Sequence, residues 1–213
     1  MNIILLGPPG AGKGTQAINI AKKFNLNQIS TGELLRNEII NKTDIGKEIE
    51  NSLSKGNFVT DDVVNKLLKK IITNNNIRNQ IIFDGYPRNI SQAKNLDSLL
   101  ILDNQDINYI FFLKVQRNII EKRILERITC ERCNKTFNET YNKNEIKKHE
   151  CGEKYLVKRK DDNKEVLINR YDEYMVKTKP VLDFYSTRSY FCEIDASDNI
   201  EVISRKIEQI LKG

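Results

Sequence analysis

The chain has 213 residues, enough for one domain with a sizeable core, and its 39% hydrophobic and 30% charged residues fall in the range of soluble globular proteins. No stretch approaches the roughly 18 apolar residues of a membrane span, and Met1 runs straight into an apolar segment with no room for a signal peptide, so the expectation is a cytoplasmic protein. A net charge of +6 favours polyanionic partners, nucleotides and nucleic acid among them.

The chain begins M-N-I-I-L-L-G-P-P-G-A-G-K-G-T-Q. Asn2 to Leu6 is a short apolar run of β-formers, Gly7 to Gly14 is a turn of glycines and prolines, and helical composition runs from Thr15 to Phe24. Strand, glycine-rich loop and helix in that order make a phosphate cradle. Backbone N–H groups approach the phosphate oxygens, the helix N-terminus adds partial positive charge, and Lys13 brings a mobile ammonium. The spacing fits G-x-x-x-x-G-K-[ST] with one departure: Gly14 follows Lys13 and the hydroxyl arrives at Thr15, which leaves the usual hydroxyl-to-Mg²⁺ contact open.

Leu26 to Ser30 leads from this helix into T-G-E-L-L-R-N-E-I-I, which starts at Thr31 with helical spacing and carries Arg36. A second helical segment, about Asp44 to Lys55, repeats Ile45, Ile49 and Leu53 at one-turn intervals, and Gly56-Asn57 breaks it. Thr60 reads as an N-cap, with Asp61 and Asp62 supplying first-turn negative charge to a helix through Val63, Val64, Leu67, Leu68 and Ile71. Gln80 to Phe83 reads as the second buried strand and ends in D-G-Y-P-R, Asp84 to Arg88. A carboxylate at a strand end is how an α/β protein presents a Mg²⁺-binding acid beside a phosphate cradle, although an Asp–Gly turn gives the same letters.

A helix from about Ser91, a strand at Tyr109 to Leu113 and a helix from about Gln116 to Glu126 follow, and Arg123 and Arg127 are expected to share a face of that last helix. From Ile128 to Asp162 the helical periodicity stops and polar residues dominate. Cys130, Cys133 and Cys151 fall in this stretch, a spacing that suggests a metal site before a disulfide framework. Periodicity resumes in E-V-L-I-N-R-Y-D-E-Y-M, a helix reaching about Arg188 with a kink or break expected near Pro180. Tyr190 to Ile194 reads as the last strand, with Cys192 a buried apolar residue, and Asn199 to Leu211 as a terminal helix. Strands alternating with helices predict an α/β fold, a parallel sheet covered on both faces.

G-P-P-G-A-G-K-G-T, S-T-G-E-L-L-R from Ser30, D-G-Y-P-R from Asp84, R-I-L-E-R from Arg123 and R-K-D-D from Arg159 stand in this order, and with them the chain resembles the long-lid adenylate kinases from end to end. Gly14 followed by Thr15 is that family's own form of the cradle. The resemblance implies a three-layer P-loop fold with a five-stranded parallel sheet. Residues 1–29, 60–127 and 163–213 would form the core, residues 30–59 a nucleoside monophosphate-binding insertion, and residues 128–162 a lid insertion. It also implies reversible Mg²⁺-dependent phosphoryl transfer from ATP to AMP, giving two ADP, by a monomer with no nucleic-acid or membrane partner.

By family position, Gly10, Ala11, Gly12, Lys13, Gly14, Thr15, Arg123, Arg127, Thr136, Phe137 and Asp198 fall at ATP. Thr31, Arg36, Asn57, Phe58, Val59, Gly85, Tyr86, Pro87, Arg88, Gln92, Arg159 and Arg170 fall at AMP, with Arg36 and Arg88 on its phosphate and Thr31, Val59 and Gln92 on its base, while Lys13, Arg123, Arg127 and also Arg159 would hold the ATP phosphates and Arg170 would sit between the two nucleotides. Lys13, Asp84, Arg88, Arg123, Arg159 and Arg170 take the catalytic positions, Asp84 as the acid that orients the Mg²⁺ waters. Asp161 and Asp162 match lid acids that hold arginines in place, and could also cap the following helix. The physics agrees: phosphoryl transfer asks mainly for positioning and positive charge, and the planar guanidinium grips phosphate oxygens in pairs.

Cys130-x-x-Cys133 followed by Cys151 resembles the structural Zn²⁺ lid of part of this family. The family's fourth ligand position falls on Lys154, a cation that cannot serve, which leaves Glu153 or His149. Two competing readings stand beside this one: a UMP/CMP kinase of the same fold, and a P-loop protein that binds nucleic acid through a zinc ribbon. Gln92, whose amide can pair with an adenine edge, speaks against the first. No basic stretch is interleaved with stacking aromatics, which speaks against the second.

Overall fold

The computed structural model describes residues 1–55, 59–133, 135–159 and 161–213. In chain order the elements are β1 (Asn2–Leu6), α1 (Lys13–Phe24), β2 (Asn27–Ser30), α2 (Thr31–Ile40), α3 (Asp44–Ser54), α4 (Asp61–Ile72), β3 (Ile81–Asp84), α5 (Ile90–Leu102), β4 (Ile107–Lys114) and α6 (Arg117–Leu125). There follow β5 (Arg127–Cys130), β6 (Thr136–Asn138), α7 (Lys143–Lys147), β7 (Leu156–Val157), α8 (Lys164–Glu173), α9 (Lys179–Ser186), β8 (Phe191–Asp195) and α10 (Ile200–Lys212).

β1 is buried along its whole length because its alternating side chains serve two cores. Ile4 and Leu6 join Phe83 and Ile110 under Leu68 and Ile72 of α4, Leu96 and Leu100 of α5, and Val181 and Tyr185 of α9. Ile3 and Leu5 join Ile82 and Phe111 against Ala17 and Ile20 of α1 and Ile203 and Ile207 of α10. The five-stranded sheet has the order β2-β3-β1-β4-β8, every pairing parallel. Parallel neighbours put all strand C-termini on one edge, and the order reverses on either side of β1, where open α/β sheets carry their ligands.

A second, three-stranded antiparallel sheet, β6-β5-β7, sits in the segment between α6 and α8. Its small core centres on Cys130 and Phe137, both buried. No helix among the described residues is long and apolar enough to cross a membrane.

Several expectations need correction. Hydrophobic pattern alone yields four of the five strands; the missing one is β2, whose N-Q-I-S buries only Ile29 and which forms because it pairs with β3 from Asn27↔Ile81 to Ser30↔Asp84. Arg123 and Arg127 do not share a helix face: α6 ends at Leu125 and Arg127 opens β5, so the lid sheet starts one residue earlier than the polar stretch suggested. Thr60 occupies the N-cap of α4 without a side-chain capping bond. Asn163, not Asp161 or Asp162, caps α8, accepting from the Val166 N–H.

The long helix breaks ahead of Pro180. Tyr174–Thr178 form a wider π-type turn between α8 and α9, and the proline sits in the first turn of α9, where its missing N–H costs nothing. Cys192 is half-buried rather than buried.

Candidate active site

The cradle opens directly from the C-terminal end of β1. Gly10 and Gly12 adopt φ of 80° and 92°, the left-handed region that only glycine occupies cheaply, and a Cβ at Gly10 would meet Ile124 at 2.9 Å. Gly12 caps α1, Ala11 is buried beneath the turn, and Lys13, Gly14 and Thr15 form the first turn of the helix. The Lys13 side chain folds back across the loop and donates to the Gly7 and Pro8 carbonyls at 2.8 and 2.9 Å. Burial pushes its ammonium down to about 8; Asp84 pulls the other way, while Arg88, Arg170 and Arg127 add to the fall.

Asp84 ends β3 beside Leu5, one strand over from the cradle. It is buried, accepts from Gln28 Nε2 at 3.0 Å, and lies over the loop exit, since a Cβ at Gly14 would stand 3.3 Å from its Oδ2. An oxygen donor there suits a hard cation held with a triphosphate.

The next residues build a second subsite. Gly85 has φ of 76°, and a Cβ there would come 3.2 Å from the Arg88 guanidinium and 3.3 Å from Thr31 Oγ1. The Gly85 carbonyl accepts from Thr31 Oγ1 at 2.8 Å and from Arg88 Nε at 2.7 Å. Arg36, one helical turn along α2 from Gly32, shares the space with Arg88: a Cβ on Gly32 would lie 3.3 Å from one and 3.8 Å from the other. Val59, Gly85, Tyr86, Arg88 and Gln92 line a cleft with Thr31, Leu35 and Val64. Tyr86 is buried with its hydroxyl bonded to Asn65 and the Gln92 carbonyl, and it joins Pro87 through a cis peptide bond. Asn57 and Phe58 lie outside the described residues.

From the lid side come Arg127 and Arg159, and from α8 Arg170. Arg127 pairs with Asp162 through both Nε and Nη2, and Arg170 with Asp161 at 2.8 Å. Arg159 donates to Thr129 Oγ1 at 3.1 Å and to Thr136 Oγ1 at 3.4 Å. Burial pushes Arg159 down to about 10, with Arg127 and Arg36 next in effect, and burial pushes Arg88 to about 10, with Arg170 next. Arg36 and Arg170 are also lowered, first by burial, and each feels Asp161, Asp162 and Arg127. Asp161 is held below the usual carboxylate range: burial opposes this, and Arg170, Arg127, Arg36 and Arg159 overcome it.

Lys13, Arg36, Arg88, Arg127, Arg159 and Arg170, drawn from four elements and two loops, thus lie within electrostatic reach of one another and of three acids, Asp84, Asp161 and Asp162. The excess of fixed cations over carboxylates makes the cleft a preorganised anion site.

Not every expected residue joins it. Arg123 lies against the turn before α10 instead, donating to the Ala196 carbonyl at 2.8 Å and the Asp198 carbonyl at 3.0 Å, while the Asp198 carboxylate pairs with Lys206. Phe137 is buried with its ring against His149 at 5.0 Å. Two site-shaping residues were missed in the sequence: Thr178, whose hydroxyl donates to the Arg88 carbonyl at 2.8 Å from the π-type turn, and Asp61, bonded to Gln92. For Thr178 the sole signal was a polar residue within a helical run, and Asp61 read only as a first-turn acid of α4.

In the lid, Cys130, Cys133, Cys151 and His149 bring their ligand atoms within 4.8 Å of one another. Three thiols and an imidazole gathered this closely could hold a metal ion, and they are donor types that Zn²⁺ takes. Glu153 is not in the group; it lies in the short turn Glu153–Tyr155. At Cys130 burial resists ionisation, but the neighbouring His149 and the Cys133 and Arg132 backbone hold its thiol below the ordinary thiol value.

The comparisons with known proteins follow the same line. The family model described as adenylate kinase matches residues 5–190. The adenylate kinase of Pelagibacter ubique is 58% identical over 212 residues, covering 100% of both chains. That of Mycoplasma mycoides is 39% identical over 214 residues, again covering 100% of both, and that of Archaeoglobus fulgidus is 36% identical over 100% of this chain and 98% of its own. A phosphate cradle at the sheet's reversal point, a second cleft beside it and a match of this extent lead to one conclusion: the chain belongs to the adenylate kinase family.

Proposed function

We propose that this nucleoside monophosphate kinase transfers the terminal phosphoryl group of ATP to AMP, reversibly and with Mg²⁺, giving two ADP, and that its charged residues divide the work between two subsites. The observation that carries the division is the convergence of Lys13, Arg36, Arg88, Arg127, Arg159 and Arg170 on one cleft. The acceptor is already a phosphate anion, so no general base is required. What the chain must supply is alignment of two polyanions and charge where negative charge moves.

In this reading Lys13 and the N–H groups of Gly10 to Thr15 hold the β- and γ-phosphates of ATP, assisted by Arg127 and Arg159 from the lid and by Arg123, once it leaves the Ala196–Asp198 carbonyls. Arg36 and Arg88 hold the AMP phosphate, Arg88 kept in place by the Gly85 carbonyl. Arg170 stands between the two and neutralises charge as the group crosses. Asp84 is the carboxylate suited to orient the waters of Mg²⁺, which supplies charge neutralisation on the ATP phosphates. Asp161 and Asp162 keep the lid and α8 arginines aimed at the cleft before nucleotide arrives. Residues 30–59 and 128–162 act as closures that exclude water, the competing acceptor. Cys130, Cys133, Cys151 and His149 fit Zn²⁺, which would clamp a lid with little core of its own.

The test is a coupled assay of ADP formation with AMP, CMP and UMP as acceptors at fixed Mg²⁺–ATP. AMP should turn over fastest. Preference for CMP or UMP would overturn the assignment of the acceptor.

A further inference from the structure

The amide of Gln92 is engaged at both ends. Its Nε2 donates to Asp61 Oδ1 at 2.7 Å, and its Oε1 accepts from the Arg88 backbone N–H at 2.7 Å. Asp61 is held in turn by Asn89, whose Nδ2 donates to Oδ1 and Oδ2 at 2.9 and 3.2 Å. Asn89 Oδ1 accepts from the Gln92 backbone N–H at 2.8 Å, which closes the circuit.

The polarity of this circuit has one solution. A backbone N–H only donates, so Gln92 Oε1 must face Arg88 and Asn89 Oδ1 must face the Gln92 N–H. A carboxylate only accepts, so both amide NH₂ groups must face Asp61. Neither amide can turn end for end without setting donor against donor and acceptor against oxygen.

Gln92 is 3% exposed and lines the cleft with Thr31, Val59 and Val64. Each end of its amide retains one bonding capacity, the second N–H of Nε2 and the second lone pair of Oε1. A base edge entering the cleft therefore meets an acceptor and a donor in a fixed order. Adenine's pairing edge offers an amino donor beside a ring-nitrogen acceptor. A 6-oxopurine offers the same two positions with the polarity reversed. A glutamine free to turn accepts either; a locked one accepts a single polarity.

Resting on the reading of Gln92 as reader of the acceptor base, we propose that Asp61 is the positioning residue that sets specificity for adenine over 6-oxopurine acceptors, by holding the Nε2 end of the Gln92 amide while the Arg88 N–H holds the other. It acts through Gln92 and takes no part in phosphoryl transfer.

The experiment measures kcat/KM for AMP and for IMP with the full chain, with Asp61→Asn and with Gln92→Ala. IMP carries the reversed edge without the extra amino group of GMP, so it isolates polarity from size. Asparagine keeps the shape of Asp61 but replaces one acceptor oxygen with an NH₂ that opposes the Gln92 and Asn89 amides, so the Arg88 N–H alone is left to resist turning of Gln92. The AMP:IMP ratio should fall about tenfold or more in Asp61→Asn, the scale of a hydrogen bond to a charged group, with KM for ATP unchanged. Loss of folded protein would lower both acceptors alike and leave the ratio intact. Asp61→Ala takes the place of the asparagine variant if the latter does not fold. A ratio that collapses in Gln92→Ala but holds in the Asp61 variant overturns the positioning role and leaves Gln92 as the reader. A ratio that holds in both shows that Gln92 does not read the base, and the proposal fails with it.

Discussion

Asp162 receives both Nε and Nη2 of Arg127, so the last acid of the lid segment clasps the residue with which the lid's first strand begins. The Asp162 side chain is 1% exposed and that of Arg127 is 17% exposed. A bidentate pair this sheltered closes the base of the lid on itself and holds a cation beside Arg36 and Arg159.

Removing one partner strands the other charge. Asp162→Ala should cost about 3 kcal/mol of unfolding stability, the low end for breaking a buried pair. Amide exchange across β5, β6 and β7 should speed up more than exchange in the five-stranded sheet, and KM for ATP should rise. Unchanged stability together with unchanged lid exchange would show that the clasp is not structural.

Lys13→Met keeps the length of the side chain and removes its charge. The rate in the coupled assay should drop by about two to three orders of magnitude, the scale for deleting one preorganised transition-state stabiliser. The circular dichroism of the fold should survive, because among the described residues the lysine bonds to the Gly7 and Pro8 carbonyls of its own loop. Near-normal turnover would remove Lys13 from the phosphate-binding role.

The same lysine gives the chain a signed pH dependence. Burial holds Lys13 at about 8 in the folded, nucleotide-free chain against an ordinary value of 10.5. Between those values the unfolded chain binds more protons, so this group makes stability rise with pH across the window, and its cost is fully present below pH 8. The unfolding free energy of the parent should therefore climb more steeply there than that of Lys13→Met. Catalysis carries the opposite sign. kcat/KM for ATP should fall as pH rises through about 8, where the free enzyme loses the ammonium, and kcat should persist to higher pH because bound phosphate favours the charged form. A kcat/KM profile that stays flat from about pH 7 to about pH 9 contradicts this account.

The lid cluster makes a prediction about metal content. Protein prepared with zinc should contain about one Zn²⁺ per chain, and a chelator should lower Tm by several degrees. His149→Gln and Cys151→Ser should lose the metal, whereas Glu153→Gln should keep it, since Glu153 stands outside the group of ligand atoms. Elemental analysis of the three variants reads this directly. Zinc retained in His149→Gln but lost in Glu153→Gln would reverse the assignment.

The phosphate cradle was legible because everything it needs is consecutive: an apolar strand, glycines at the positions of positive φ, and a lysine at the helix start. β2 was not, since a strand with one buried residue owes its existence to β3 alongside. The expected pairing of Arg123 with Arg127 failed for a related reason. A four-residue interval places two side chains on one face only while the helix continues, and α6 stops at Leu125. Spacing left the fourth lid ligand open between His149 and Glu153; the folded lid brings His149 to the thiols and leaves Glu153 in a separate turn.

By itself, then, the order of residues determined the local conformations and the chemical kinds of group: which segment cradles phosphate, which face of each helix is apolar, which side chains carry permanent charge. Tertiary structure decided which of those groups meet. Arg36, Arg88 and Arg170 come from distant parts of the chain and lie together because hydrophobic burial packs their elements around one edge of the sheet, and Asp61 holds Gln92 because α4 and α5 pack side by side. Local conformation follows from the chemistry of neighbouring residues, whereas proximity across the chain is set by the burial of apolar surface, which does not depend on the charged groups it brings together.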